Sequence, residues 1–286
     1  MKEYIEKAKI LVEALPYIKE FKGITVVIKY GGSALTNQEV KESLIKDIAL
    51  MKFVGFRPVV VHGGGPEINA MLKRLNIESR FINGLRITDE KTMEVVEMVL
   101  SGKLNKEITT ELSLQGIQTA GISGKDGRSV LVEKYKPGGA DIGFVGVIKS
   151  VDTALIKTLI DNDFVPVISP IGVDDNGVGY NVNADMAAVA IAGALNAEKL
   201  VFLTDVEGIL HDRADSTSVY SSVKAELIPR MIDEGIISGG MIPKVESCIE
   251  AVHAGVQQVH ILDGRVEHCL LLEIFTKEGV GTMIER

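Results

Sequence analysis

The residues best placed for chemistry begin with Lys29, which ends the apolar run Thr25 to Lys29 and leads directly into Tyr30-Gly31-Gly32-Ser33. A lysine at a strand end, followed by two glycines, sets an ammonium beside backbone N–H groups that are free to turn toward an anion. The pattern recurs. Pro58-Val59-Val60-Val61 opens into His62-Gly63-Gly64-Gly65-Pro66, and Ile68, Met71, Leu72 and Leu75 follow at helical spacing. Two such turns suit two anionic groups held close together, as phosphoryl transfer between small anionic substrates requires. Neither a GxxxxGK motif followed by Ser or Thr nor a complete GxGxxG occurs, which argues against a P-loop NTPase and a standard dinucleotide enzyme.

Further stretches add polar and charged groups. Arg86, within Asn83-Gly84-Leu85-Arg86-Ile87-Thr88-Asp89, could fork onto a substrate carboxylate or be a surface arginine near a helix start. In Tyr180-Asn181-Val182-Asn183-Ala184-Asp185, Asn183 suits an N-cap and Asp185 a first helical turn. Capping alone accounts for both; the functional reading has Asn181 facing substrate and Asp185 organising the lysines. Leu203 to Leu210 ends a strand in a polar turn, and Gly239-Gly240-Met241-Ile242-Pro243-Lys244 opens a helix. Together they could cradle a nucleotide, with Lys244 reaching its terminal phosphates, although each alone is also a generic loop.

The elements that must position these groups alternate. Apolar runs predict strands at 25–29, 58–61, 117–122, 165–169, 199–204 and 257–262, with helices at about 38–54, 67–76, 89–114, 152–161, 184–195, 242–254 and 266–276. Near-continuous apolar strands separated by helices indicate an α/β protein whose mostly parallel sheet is covered on both faces. Ligands gather at the carboxyl ends of such strands. Residues 80–88 and 129–149 read as hairpins, and the Asp- and Gly-rich stretch from Val173 to Tyr180 as a lobe boundary. Ile5, Ala8, Leu11, Val12, Leu15 and Ile18 predict an amphipathic helix over 1–20, bent or broken near Pro16, that caps the sheet or packs on another subunit.

With 286 residues, a net charge of −8 and pI near 5.3, the chain lacks the basic footprint of a nucleic-acid or anionic-membrane binder. Cys248 and Cys269 fall in predicted helices without CxxC spacing and read as small core residues, neither disulfide nor zinc ligands. No signal peptide or spanning apolar run is evident, so a soluble, cytoplasmic protein is expected.

Taken together, Lys29-Tyr30-Gly31-Gly32-Ser33, His62 to Pro66, Asn83 to Arg86, Asn181 to Asp185, Thr204 to Gly208 and Gly240 to Lys244 resemble the amino acid kinase family, from Val26 to Ile284. Carbamate kinases look similar around the triple glycine but usually carry Asn in place of His62. The resemblance implies a three-layer sandwich around a mostly parallel sheet, in two lobes with an extra N-terminal helix. It divides the chain into 1–24 for oligomerisation, 25–178 for N-acetylglutamate binding and dimerisation, and 179–286 for nucleotide.

The implied reaction is phosphorylation of the γ-carboxylate of N-acetyl-L-glutamate by MgATP, the second step of the acetylated route to ornithine and arginine. By position, Lys29 and Lys244 would stabilise the transferring phosphoryl group, with Asp185 holding both. Gly64, Gly65, Arg86 and Asn181 would bind N-acetylglutamate. ATP would be held by Gly31, Gly32, the turn Asp205-Val206-Glu207-Gly208-Ile209-Leu210, and the segment from Ile236 through Gly240 to Met241. Mg²⁺ would arrive with ATP, with no protein metal ligands. Arginine-inhibited members carry an N-terminal helix that links dimers into a hexamer, so the resemblance also implies a homohexamer, a trimer of dimers, inhibited by arginine. Tyr17, Lys199, His268, Glu273, Gly279 and Gly281 are the candidate effector contacts. The closest enzymatic alternative is another amino acid kinase, such as a carbamate kinase, and the alternative of another class is a non-catalytic arginine or nucleotide sensor on the same fold.

Overall fold

The computed structural model describes residues 1, 4–5, 9, 12–31, 37–212, 215, 218–276 and 279–286. Gly32 lies outside them, as do Ala8 and Leu11 of the N-terminal helical pattern. What is described there includes a helix at Leu15–Phe21, with Pro16 in its first turn where a missing N–H costs nothing.

Fourteen strands are described: β1 Thr25–Tyr30, β2 Arg57–His62, β3 Phe81–Ile82, β4 Leu85–Arg86, β5 Thr119–Ser123, β6 Val130–Lys134, β7 Gly146–Val151, β8 Val165–Ser169, β9 Ile171–Val173, β10 Gly179–Asn181, β11 Lys199–Thr204, β12 Ser222–Lys224, β13 Gln258–Asp263 and β14 Thr282–Glu285. Eight form one sheet in the order β12-β14-β13-β11-β1-β2-β8-β5. It is parallel from β13 to β5, and β14 runs antiparallel to β13. Val26, Val27 and Ile28 are fully buried, as a central strand covered on both faces demands. A second sheet, β10-β9-β6-β7, and the small β3-β4 hairpin stand beside it.

The predicted hairpins are present: β3-β4 turns through Asn83 and Gly84, both at positive φ, and β6 pairs antiparallel with β7. The Asp- and Gly-rich stretch forms the tip of the β9-β10 hairpin, where Asp174 accepts hydrogen bonds from the Asn176 and Val178 N–H groups. Cys248 and Cys269 are buried free thiols within helices. No helix among the described residues is long and apolar enough to cross a membrane.

One element departs from the expectation. The helix over 89–114 is interrupted: Glu90–Glu97 and Asn105–Leu114 are α-helical, and Met98–Leu104 between them is a π-helix. The wider turn brings Ser101 Oγ within 2.9 Å of Ser169 Oγ and buries Asn105, whose Nδ2 donates to Val167 O (2.8 Å) and Ile122 O (3.2 Å).

Candidate functional site

The strand order reverses direction at β1, with β2 on one side and β11 on the other, so the crevice of this sheet opens where the carboxyl ends of β1 and β11 meet. Lys29 reaches that end from β1. Asp185 approaches in the first turn of helix Ala184–Leu195, held there by Asn183, whose Oδ1 accepts from the Asp185 (2.8 Å) and Met186 (3.1 Å) N–H groups. Lys29 Nζ lies 2.9 Å from Asp185 Oδ1, the side chains being 14% and 28% exposed. Lys244, in the first turn of helix Met241–His253, comes from the opposite side. All three line one small cavity with Thr204 and Ser247. The structure therefore gathers Lys29, Asp185 and Lys244, though the recorded partner of the Lys244 ammonium is Thr204 Oγ1, at 2.5 Å, and that of Asp185 is Lys29.

On the β2 side lies a cleft of about 190 Å³ lined by Gly63, Gly64, Gly65, Arg86 and Asn181. The two glycine turns are contiguous: Gly63 N donates to Tyr30 O at 2.8 Å, and a side chain at Gly31 would come within 3.4 Å of both Gly63 N and Lys29 Nζ. Gly64 is required for space, because a Cβ there would sit 2.5 Å from Leu100 Cδ2 and Leu104 Cδ1 of the π-helix. Arg86 is buried. Its guanidinium donates to Ser79 Oγ and to Gly65 O (3.4 Å) and lies 4.7 Å from the Phe81 ring centre. All these partners are neutral, so no ion pair competes for its charge; burial lowers its pKa, a cost that an anion bound beside it would offset. Asn181 Nδ2 donates to Thr88 Oγ1 at 3.3 Å.

On the β11 side a larger cleft, about 410 Å³, is lined by Asp205, Val206, Glu207, Gly208, Ile209 and Leu210, by Ile236, Ile237 and Ser238, and by Gly240, Met241 and Lys244. Of the described residues expected to hold ATP, all line this cleft except Gly239 and Gly31, the latter packing between Lys29 and Gly63. Lys244 lines both this cleft and the small cavity it shares with Lys29 and Asp185. The loop is anchored by Ile209 N donating to Thr282 Oγ1 (2.9 Å) and by Arg265, which forks onto Asp263 and reaches Glu207 Oε1 at 3.1 Å. Burial pushes the Asp205 carboxyl up, but its own backbone N–H, Lys244 and the Thr204 hydroxyl outweigh that and hold it below its ordinary value.

His62 is fully buried beneath the triple glycine. Its Nδ1 donates to Gly63 O (2.8 Å), so Nε2 accepts from Asn105 Nδ2 (3.3 Å). Burial lowers its pKa to about 4, which favours the neutral ring.

The candidate effector residues fall around helix Cys269–Phe275. The Tyr17 ring meets Phe275 edge-on at 6.4 Å, and the buried Lys199 ammonium lies 4.8 Å from the Phe21 ring centre. Glu273 Oε2 accepts from Val280 N (2.8 Å) and Gly281 N (3.2 Å), and a side chain at Gly279 would strike it. Burial raises the Glu273 carboxyl, yet the His260 ring 2.7 Å from Oε1 and these N–H groups hold it below its ordinary value. His268 stands at the other end of the helix, 2.6 Å from the buried Asp47.

Sequence reasoning assigned no role to Thr204, Phe81, Arg265 or the π-helical leucines. Their partners lie far along the chain or in an irregular turn. A polar residue ending a buried strand was the one available signal for Thr204.

The profile of the "Amino acid kinase family" matches residues 25–263. The chain is 56% identical over 293 residues to an acetylglutamate kinase of Heliobacterium modesticaldum, covering 99% of each chain. It is 57% identical over 281 residues to one of Desulforamulus reducens, covering 98% of each. Among solved structures, an N-acetylglutamate synthase of Neisseria gonorrhoeae, complexed with coenzyme A and N-acetyl-glutamate, superposes with a TM-score of 0.86 at 26% identity. The alignment covers 98% of this chain and 63% of that synthase. A Giardia lamblia carbamate kinase shares the fold, at a TM-score of 0.66 and 19% identity over 92% of this chain and 99% of that one. By profile match and by full-length identity, this chain belongs to the amino acid kinase family and, within it, to the acetylglutamate kinases.

Proposed function

We propose that the protein transfers the γ-phosphoryl group of MgATP to the γ-carboxylate of N-acetyl-L-glutamate in arginine biosynthesis. The observation that carries this reading is the cavity shared by Lys29, Asp185 and Lys244, with a glycine-lined cleft on one side and the 205–210 loop on the other. The glycine turn, Arg86 and Asn181 bind the acceptor, Arg86 pairing with its carboxylate. The larger cleft takes ATP.

A carboxylate acceptor, with a pKa near 4.3, is already ionised at neutral pH and needs no base. The task is to bring two anions together and to spread charge over the phosphoryl oxygens, and lysines and backbone N–H groups are suited to it. Mg²⁺, bound through the nucleotide's phosphates and water, adds charge neutralisation. We place the reaction in the cytoplasm, where two buried thiols stay reduced.

We further propose a homohexamer inhibited by arginine. Tyr4, Ile5, Val12 and Leu15 remain exposed on the N-terminal segment, an apolar face suited to a second subunit. The cluster of Tyr17, Lys199, Glu273, Gly279 and Gly281 offers a carboxylate and aromatic rings to a guanidinium. His268 belongs to this reading as a contact at the far end of the same helix.

The test is ATP-dependent acyl-phosphate formation, trapped with hydroxylamine, using N-acetylglutamate, glutamate, aspartate and carbamate in parallel, each with and without arginine. Turnover with N-acetylglutamate alone that falls on adding arginine is expected. No turnover with any acceptor, despite ATP or arginine binding, would replace the enzyme with a sensor. Removing residues 1–20 should abolish the hexamer and most arginine sensitivity; a truncated protein that stays hexameric contradicts the assembly.

A further inference from the structure

We propose that Thr204 is a positioning residue for the transfer step, its hydroxyl oxygen holding the Lys244 ammonium between the nucleotide cleft and the transfer cavity. Lys244 is the fourth residue of its helix, within the turn where the helix dipole repels a cation. Something must hold it there. The acceptor is Thr204 Oγ1, 2.5 Å from Nζ, on the last residue of β11.

Thr204 is 5% exposed and fixed on three sides. Its carbonyl accepts from Gly264 N at 2.8 Å, its strand register is set against Asp263, and its branched Cβ restricts χ1. A hydroxyl has one proton, and here it is donated to Asp205 Oδ1 at 3.2 Å, which leaves a lone pair facing Lys244. Hydrogen bonds thus run in one direction, from Lys244 to Thr204 to Asp205.

The choice of acceptor matters for charge. Asp185 pairs directly with Lys29 at 2.9 Å, whereas the atom that places Lys244 is a neutral hydroxyl oxygen. The Asp205 carboxylate, on the far side of that hydroxyl, acts on Lys244 only through space, so the ammonium stays free of a direct ion pair and open to the phosphoryl oxygens.

The inference rests on the reading that Lys244 acts in transfer, and the test separates the two. Thr204→Val removes the hydroxyl at nearly constant shape, Thr204→Ser retains it, and both are compared with Lys244→Ala and the Thr204→Val, Lys244→Ala double variant. Thr204→Val should lower kcat about tenfold or more while the KM for N-acetylglutamate stays within about twofold. Thr204→Ser should recover most of the loss, and the double variant should be no slower than Lys244→Ala alone. Wild-type kcat in Thr204→Val beside a slow Lys244→Ala overturns this inference alone. So does a loss that serine does not recover, or one that adds to that of Lys244→Ala. Normal turnover in Lys244→Ala overturns the role of Lys244 and the inference with it.

Discussion

Lys29 Nζ stands 2.9 Å from Asp185 Oδ1, the lysine from the end of β1 and the aspartate from the first turn of a helix 156 positions on. The pair sits where the strand order reverses, and neither member has more than 28% of its side chain exposed. Partial burial makes it more than a surface ion pair, and removing one partner leaves the other's charge poorly compensated.

Asp185→Ala should therefore leave the fold intact, because Asn183 still caps the helix, but release the Lys29 ammonium from its place. A fall in kcat of about a hundredfold is expected, the scale of losing one placed charge-stabilising donor. Steady-state kinetics with circular dichroism on the same sample checks both halves.

Gly64→Ala should act through space. Its Cβ would stand 2.5 Å from two leucine methyls of the π-helix, an overpacking worth about 1–3 kcal/mol. A lower thermal midpoint and a higher KM for N-acetylglutamate, with ATP binding little changed, are expected from calorimetry and kinetics.

Arg265→Ala removes the tie from Asp263 of β13 to Glu207 of the 205–210 loop, the loop proposed to hold ATP. Because Arg265 is about half exposed, its contribution is discounted for solvent, and a rise of roughly three- to tenfold in the KM for ATP is expected. The KM for N-acetylglutamate should not move. Titration of ATP binding by fluorescence or calorimetry reads the effect directly.

His62 gives a pH signature. Its folded pKa, about 4, lies below the ordinary value near 6.5, so the unfolded chain binds the extra proton between those limits. The stability from burying the neutral ring is present above pH 6.5 and is lost as pH falls toward 4. Asp47 runs the other way: burial raises its carboxyl to about 6, which costs stability above that pH. Against a His62→Asn variant, which leaves Asp47 in place, the wild type should lose about 2 kcal/mol more between pH 7 and pH 5 in urea unfolding.

Much of this was legible in the sequence because it depends on local rules. Apolar runs gave β1, β2, β8 and β11 within about a residue, and Asn183 and Asp185 were placed by capping and the helix dipole. The π-helix was not legible: Met98–Leu104 continues the apolar spacing of its neighbours, and an added residue per turn shows only when Leu100 and Leu104 meet Gly64. Short edge strands such as β12 and β14, with three and four residues, offer too little alternation to read. Thr204 and Lys244 meet across 40 positions, a pairing that only the strand order creates.

The most direct test of the central claim, that two placed lysines drive transfer to an acceptor needing no base, compares the saturated rate of acyl-phosphate formation in wild type, Lys29→Ala and Lys244→Ala, with ATP and N-acetylglutamate binding measured by calorimetry on each. Both substrates should still bind each variant while the rate falls about a hundredfold or more. Near-normal rates in either folded variant would contradict it.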